Sequence, residues 1–229
     1  MATSGTTSFN LSVDELIIEA YERCAVPSPT GQQLRSARRS LNLLLADLNN
    51  RDLHLFKRAQ STFNTVASQT SYTLSGAVLD VSDVTVHADG TTGSEISVAR
   101  LTQSDYAALP NKTTEARPSQ YYLDRERDAP ILFLYTTPDK VYKINYYAYN
   151  RIEDVGAYTN TLDVPVKFLP AVTTGLAFYL SEKVDAAKTA LFKSRYDEEV
   201  LRAIQEDEER ASLFLTPNLA GTGFAVRSG

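Results

Sequence analysis

The chain has 229 residues, of which 43% are hydrophobic and 22% charged, with a formal net charge of -5. No uninterrupted apolar stretch is long enough to span a bilayer, and the acidic balance argues against wrapping nucleic acid, which needs a basic surface to release counterions. One cysteine, Cys24, excludes an internal disulfide framework, and with only His54 and His87 beside it a structural zinc site is not expected. Met1 to Ser8 is small and polar and lacks the basic and apolar regions of a secretory signal, so synthesis in a cytoplasm is the expectation.

The first element starts at a capping box, Ser12 with Glu15, with Leu11 placed to staple onto Leu16. Val13, Leu16, Ile17, Ala20 and Cys24 then recur at helical spacing, while Asp14, Glu15, Glu19 and Glu22 lie largely off that stripe. Val26-Pro27-Ser28-Pro29 ends the helix. Thr30 with Gln33 repeats the box, and Leu34, Ala37, Leu41, Leu44, Leu45 and Leu48 make a second stripe, so the two helices are expected to pack as a hairpin. Arg35, Arg38, Arg39 and Asn42 fall on the polar face of the second helix, which is basic near its start.

From about Phe56 the pattern becomes short β-rich runs broken by turn residues. Strands are expected at Tyr72 to Leu74, Leu79 to Val86, Ile96 to Leu101, Tyr121 to Leu123, Ile131 to Tyr135 and Val141 to Tyr149. The last two read as a hairpin across Thr137-Pro138-Asp139, with Tyr142, Ile144, Tyr146 and Ala148 on one face. Helical spacing returns after Asp163 and Pro165, first through Phe168, Val172, Leu176, Tyr179 and Leu180. Gly175 inside this stretch costs about 1 kcal/mol against alanine and points to a close backbone contact. Asp185 is placed to cap a final helix in which Phe192, Tyr196, Val200 and Ala203 face inward. Its distal part is acidic through Glu198, Glu199, Glu206, Asp207, Glu208 and Glu209. Beyond Pro217 the chain reads NLAGTGFAVRSG, glycine-rich with isolated apolar residues.

These readings give an α+β fold: a four-helix bundle built from N- and C-terminal helices, an inserted β-rich domain and an extended C-terminal arm. The expected divisions are 1–55 for the first helical pair, 56–160 for the β-rich insert, 161–215 for the helices completing the bundle and 216–229 for the arm. Catalytic residues are not assigned. No phosphate-binding loop, nucleophile elbow or zincin motif occurs, and Glu153-Asp154 or Asp124 with Glu126 are poor grounds for glycoside chemistry without a cleft. Cys24 continues an apolar stripe and reads as a buried, inert thiol; His54 and His87 are given no chemical role.

Four blocks carry a resemblance: TGQQLRSARRSLNLLLADLNNRDLHLF at Thr30 to Phe56, PNKTTEARPSQYYLDRE at Pro110 to Glu126, NTLDVPVKFLPAVTTGLAFYLSEK at Asn160 to Lys183, and RASLFLTP at Arg210 to Pro217. Together they resemble the head-to-tail adaptor (connector, head-completion) proteins of short-tailed bacteriophages. Asp52 stands where that pattern commonly has glycine, and Phe56 where it has tryptophan. The resemblance implies a virion protein at the head-tail junction. It implies a homo-oligomeric ring, a dodecamer matching the portal, that extends the DNA ejection channel and presents a platform for the tail tube or nozzle protein. DNA is expected to pass through the lumen without specific binding, and no membrane, metal or cofactor is called for. Leu219, Phe224, Val226 and Arg227 are the expected portal-binding residues of the arm, since spaced anchors among glycines suit folding on a partner. Arg35, Arg38 and Arg39 are expected to meet Glu206, Glu208 and Glu209 of a neighbouring subunit, arginine's planar fork suiting such pairs, with contact to DNA in a lumen or a merely solvated helix face as the alternatives. The alternative is a tail-associated module that binds the cell surface or degrades its wall, with the tyrosine-rich sheet contacting sugar or lipid.

Overall fold

In the computed structural model, residues 5–6, 9–51 and 57–207 are described. Helix α1 (Val13–Arg23) begins where Glu15 accepts the Ser12 backbone N–H at 3.0 Å, and α2 (Gly31–Asn49) begins at the full Thr30/Gln33 box. Both satisfy N–H groups that a helix start leaves unpaired. The expected stripes are the buried ones: Val13, Leu16, Ile17, Ala20 and Cys24 on α1, and Ala37, Leu41, Leu44, Leu45 and Leu48 on α2. Leu11 and Leu34 pack at the margin of the same core.

A 3₁₀ turn at Val166–Phe168 leads into α4 (Leu169–Val184), and a second at Ala186–Lys188, capped by Asp185, leads into α5 (Thr189–Asp207). Helix α3 (Gln103–Ala108) lies in the β-rich region. Helix α4 is apolar nearly all round, and α1, α2 and α5 all pack on it, as a helix without a solvated face requires. Tyr21 and Gln33 join α1 to α2, but each packs more extensively on α4 than on the other. Helix α2 runs antiparallel to α4, since Lys183 donates to Ser36 and Ser40 while Gly175 lies opposite Leu44. A Cβ on Gly175 would come within 2.7 Å of the Tyr196 ring and 2.8 Å of Leu44 Cδ1. The close approach expected there therefore involves two side chains, not another backbone.

Among the described residues eight strands form two sheets: β1 (Arg58–Asn64), β2 (Ser71–Thr73), β3 (Val78–His87), β4 (Glu95–Ser97), β5 (Ala99–Arg100), β6 (Gln120–Asp124), β7 (Ile131–Tyr135) and β8 (Lys143–Asn150). One sheet has the order β1-β8-β3-β4 and the other β2-β7-β6-β5, with β5 parallel to β6 and every other pair antiparallel. Strands β7 and β8 are not a hairpin, because they sit in different sheets. Thr137 instead bonds to the loop preceding β6, its N–H donating to Thr114 and its carbonyl accepting from Ala116. The Thr-Pro-Asp cluster marks a turn, but the turn carries the chain across to the second sheet.

Inward residues of both sheets, among them Val81, Val86, Ile144 and Ala148 from one and Leu132, Leu134 and Leu123 from the other, form a single core separate from the helical one. Tyr142, Ile144, Tyr146 and Ala148 share its face as expected. In β3 the buried valines are Val78, Val81, Val84 and Val86, spaced by three twice before returning to two. Register shifts against β8 fall between Val78 and Asp80 and between Ser82 and Thr85, the second holding Asp83 at φ 47°. Each extra residue is taken up as a bulge, which keeps the valines on one face. No helix among the described residues is long and apolar enough to cross a membrane.

Candidate assembly interface

The basic face of α2 divides in use. Arg38 turns back onto its own chain, donating to the Val155 carbonyl at 3.2 Å with its guanidinium 5.6 Å from the centre of the Tyr158 ring. Asn42, one turn on, accepts from Val155 N at 2.8 Å, and Asn49 accepts from Ile152 N at 2.9 Å. These bonds lash the segment between β8 and α4 along α2, satisfying backbone groups that a loop against a core would otherwise leave unpaired. Arg35 and Arg39 remain exposed and have no ion-pair partner among the described residues. With Gln32, Arg38, Asn42 and Tyr158 they line a groove of ≈ 610 Å³.

Glu206 falls in the last turn of α5, while Glu208 and Glu209 lie outside the described residues. Tyr196 on α5 donates to the Asp47 carboxylate at 3.0 Å, near the C-terminal end of α2. Arg35 lies twelve residues back along α2, about 18 Å at the helical rise. Within one chain α5 runs antiparallel to α4 and carries Glu206 away from Arg35 and Arg39. The described part of α5 thus leads away from Arg35 and Arg39, so a pairing with Glu206 would have to join two copies. The arm residues Leu219, Phe224, Val226 and Arg227 also lie outside the described residues, as do Asp52, His54 and Phe56.

A second surface was not singled out in the sequence. The outward side of α1 joins the start of α4 in a groove of ≈ 570 Å³ lined by Phe9, Leu11, Ile18, Val166 and Leu169, with Glu15, Glu19, Glu22 and Arg23 beside them. The signal was Ile18, an apolar residue at a position the helical period assigns to solvent. Leu43 on α2 is the same kind of exception.

The β-rich region presents two further surfaces. On the outward face of the second sheet Tyr122 and Phe133 are cross-strand neighbours, and Tyr106 of α3 stacks on Tyr122 with ring centres 5.2 Å apart. Lys112 lies 5.0 Å from the Tyr106 ring, so this half-buried platform has a cationic edge. Between the β-rich region and the end of α2, a cleft of ≈ 730 Å³ carries Arg125, Arg127, Arg151, Asp80 and Asp128. Asp80 accepts from Arg100 at 2.8 Å and from Arg125 at 2.6 Å, tying β3 to β5 and to the loop after β6. Burial alone would raise the Asp80 carboxyl, but the hydrogen bond and charge of Arg100, with the charge of Arg125, hold it below the usual carboxylate range.

Cys24 is buried, its thiol donating to the Ala177 carbonyl at 3.5 Å, and burial pushes its pKa up. It is protected from the thiolate chemistry that makes a cysteine reactive. His87 is held by structural contacts, Nδ1 at 3.2 Å from the Gly93 carbonyl and Nε2 at 3.2 Å from the Asn145 amide. Among the described residues no group of three or more histidine, cysteine or acidic side chains is placed to hold a metal.

No curated protein matches this chain. A family model described as SU10 adaptor protein matches residues 12–220, which takes in both helical regions, the whole β-rich region and the start of the C-terminal segment. The resemblance carried by the four sequence blocks and this match agree, and the chain belongs to the SU10 adaptor protein family of phage head-to-tail adaptors.

Proposed function

We propose that the protein is the repeating subunit of a ring seated under the phage portal, twelve copies in number, extending the DNA channel and giving the tail its platform. The observation that carries this reading is the family match, which spans the chain from the first helix cap to the C-terminal segment. The fold supports a division of labour. The helical region offers exposed cations on α2 and an acidic, apolar groove on α1 for contacts between neighbours. The β-rich region, whose core is separate, offers the Tyr106–Tyr122–Phe133 platform to a tail tube or nozzle protein, aromatic side chains giving large contact area at low entropic cost. The net charge of -5 suits a channel through which DNA slides without sticking. Catalysis has no part in this role.

In the same reading the segment after Pro217 is an arm that folds on the portal, anchored by Leu219, Phe224 and Val226 with Arg227 beside them. Deleting residues 217 to 229 is expected to leave a folded protein that no longer co-purifies with portal. Undiminished retention in that pull-down would refute the arm's role. Tight binding of the full chain to host envelope, with portal ignored, would favour the cell-surface module instead.

A further inference from the structure

Exposed apolar side chains occupy helix positions that amphipathic spacing assigns to polar residues on α1, on α2 and, at Leu191 and Leu201, on α5. On α1, Ile18 is 39% exposed and borders the groove completed by Phe9, 65% exposed, and Val166, 47% exposed. On α2, Leu43 is 63% exposed, one turn beyond Arg39 and two beyond Arg35. The groove is edged by three carboxylates and one guanidinium group, Arg23, and the Leu43 stripe by the guanidinium groups of Arg35 and Arg39. Glu19 is paired with Arg23 at 2.8 Å and Glu15 is engaged with Ser12, but Glu22, Arg35 and Arg39 have no ion-pair partner among the described residues. A projecting leucine with cations on one side of it, and an apolar groove with acids along its edge, are complementary in shape class and in charge.

We infer that Leu43 of one copy seats in the Phe9–Ile18–Val166 groove of a second copy, with Arg39 meeting the unpaired Glu22 and Arg35 beside it. This inference rests on the ring reading above and specifies its self-contact. The two surfaces share no residue, so the contact is heterologous: each subunit uses its groove toward one neighbour and its α2 stripe toward the other. Head-to-tail contacts of this kind close into rings when the rotation permits. The acidic end of α5 is the competing partner for the arginines. A contact there would set the projecting Leu43 beside Leu201, itself 59% exposed, whereas the α1 groove is a concave site of ≈ 570 Å³ that can enclose a leucine. The groove therefore outranks it.

Cysteine trapping tests the contact directly, because a disulfide forms only when the two Cβ atoms come within about 4.5 Å. Both sites are exposed enough to substitute without disturbing the core, and native Cys24 is buried and does not compete. An oxidised mixture of full-length Ile18→Cys and Leu43→Cys proteins should give about tenfold more covalent dimer than either variant alone. The double variant should give a ladder beyond dimer. Adding Arg39→Glu should cut trapping about tenfold, with partial recovery on Glu22→Arg. Equal dimer from either single variant would mean a symmetric contact and overturn the inference. So would trapping that is insensitive to Arg39→Glu, or sensitive to Glu206→Lys in place of Glu22→Arg. If sedimentation shows higher oligomers but the mixture does not cross-link, this contact fails while the ring stands. If no oligomer forms alone or on purified portal, both fail.

Discussion

In the helical region one helix, α4, touches each of the other three, and its buried side chains lie within a short span of sequence. In the β-rich region the pairings are long-range: β1 opposes β8 from Arg58 to Tyr149, and β2 opposes β7 from Ser71 to Phe133. The first region converges on one element, whereas the second spreads its pairings over eight strands in two sheets; both close long stretches of chain, Cys24 meeting Ala177 across the whole β-rich region. For an adaptor the contrast matters, since the proposed neighbour contacts lie on the helices and the proposed tail platform lies on the sheets.

The sharpest way to break this comparison is to empty a cavity in one core and watch the other. Leu176 on α4 and Leu132 on β7 are both fully buried, and changing either to alanine should cost about 2–5 kcal/mol. With Leu176→Ala, amide exchange should accelerate in α1, α2, α4 and α5 while the sheets keep their protection; Leu132→Ala should do the reverse. Equal loss in both regions under either change would show that the two cores unfold as one.

Gly175→Ala fills space instead of emptying it. The added methyl meets the Tyr196 ring and Leu44, so destabilisation of about 1–3 kcal/mol is expected despite alanine's better helix propensity, read as a lowered melting temperature. A neutral or raised melting temperature would mean the α4–α5 packing yields more easily than the close approach implies.

A smaller effect belongs to the β-rich region alone. The folded Asp80 carboxyl lies below its unfolded value, so its contribution is complete above about pH 4 and fades as pH falls through the unfolded and then the folded pKa. Asp80→Asn should cost about 1–2 kcal/mol near neutrality. The gap between wild type and variant, measured by denaturant titration, should narrow below about pH 4. A gap that stays constant into acid would remove the Arg100–Asp80–Arg125 cluster from the stability account.

The two regions also differ in how far they can be read from sequence. Helix starts at Ser12 and Thr30 and the apolar stripes of α1, α2 and α5 are legible because their information is local: caps sit three residues from their partners and the core face repeats every turn; α4, buried on nearly every side, goes beyond the single stripe expected of it. Strand β1 escapes notice because, as an edge strand, RAQSTFN places only Phe63 against the core. The supposed β7–β8 hairpin fails for a related reason, since turn residues signal a reversal but not which strand will be met. In the candidate interface, the basic character of α2 is visible in the sequence, but the capture of Arg38 by Val155 is not, because the partner lies 117 residues away. Ile18 and Leu43 leave a readable mark, each an apolar residue on a polar face, whose meaning depends on seeing what surrounds it.

The central claim, that this chain builds a collar joining portal to tail, is tested most directly by imaging purified portal with the protein bound, even at low resolution. A closed ring of this chain beneath the portal is expected, its copy number matching the portal's, with the helical regions in lateral contact and the β-rich regions toward the tail. Portal lacking any collar, with the protein instead attached to host envelope, would contradict it.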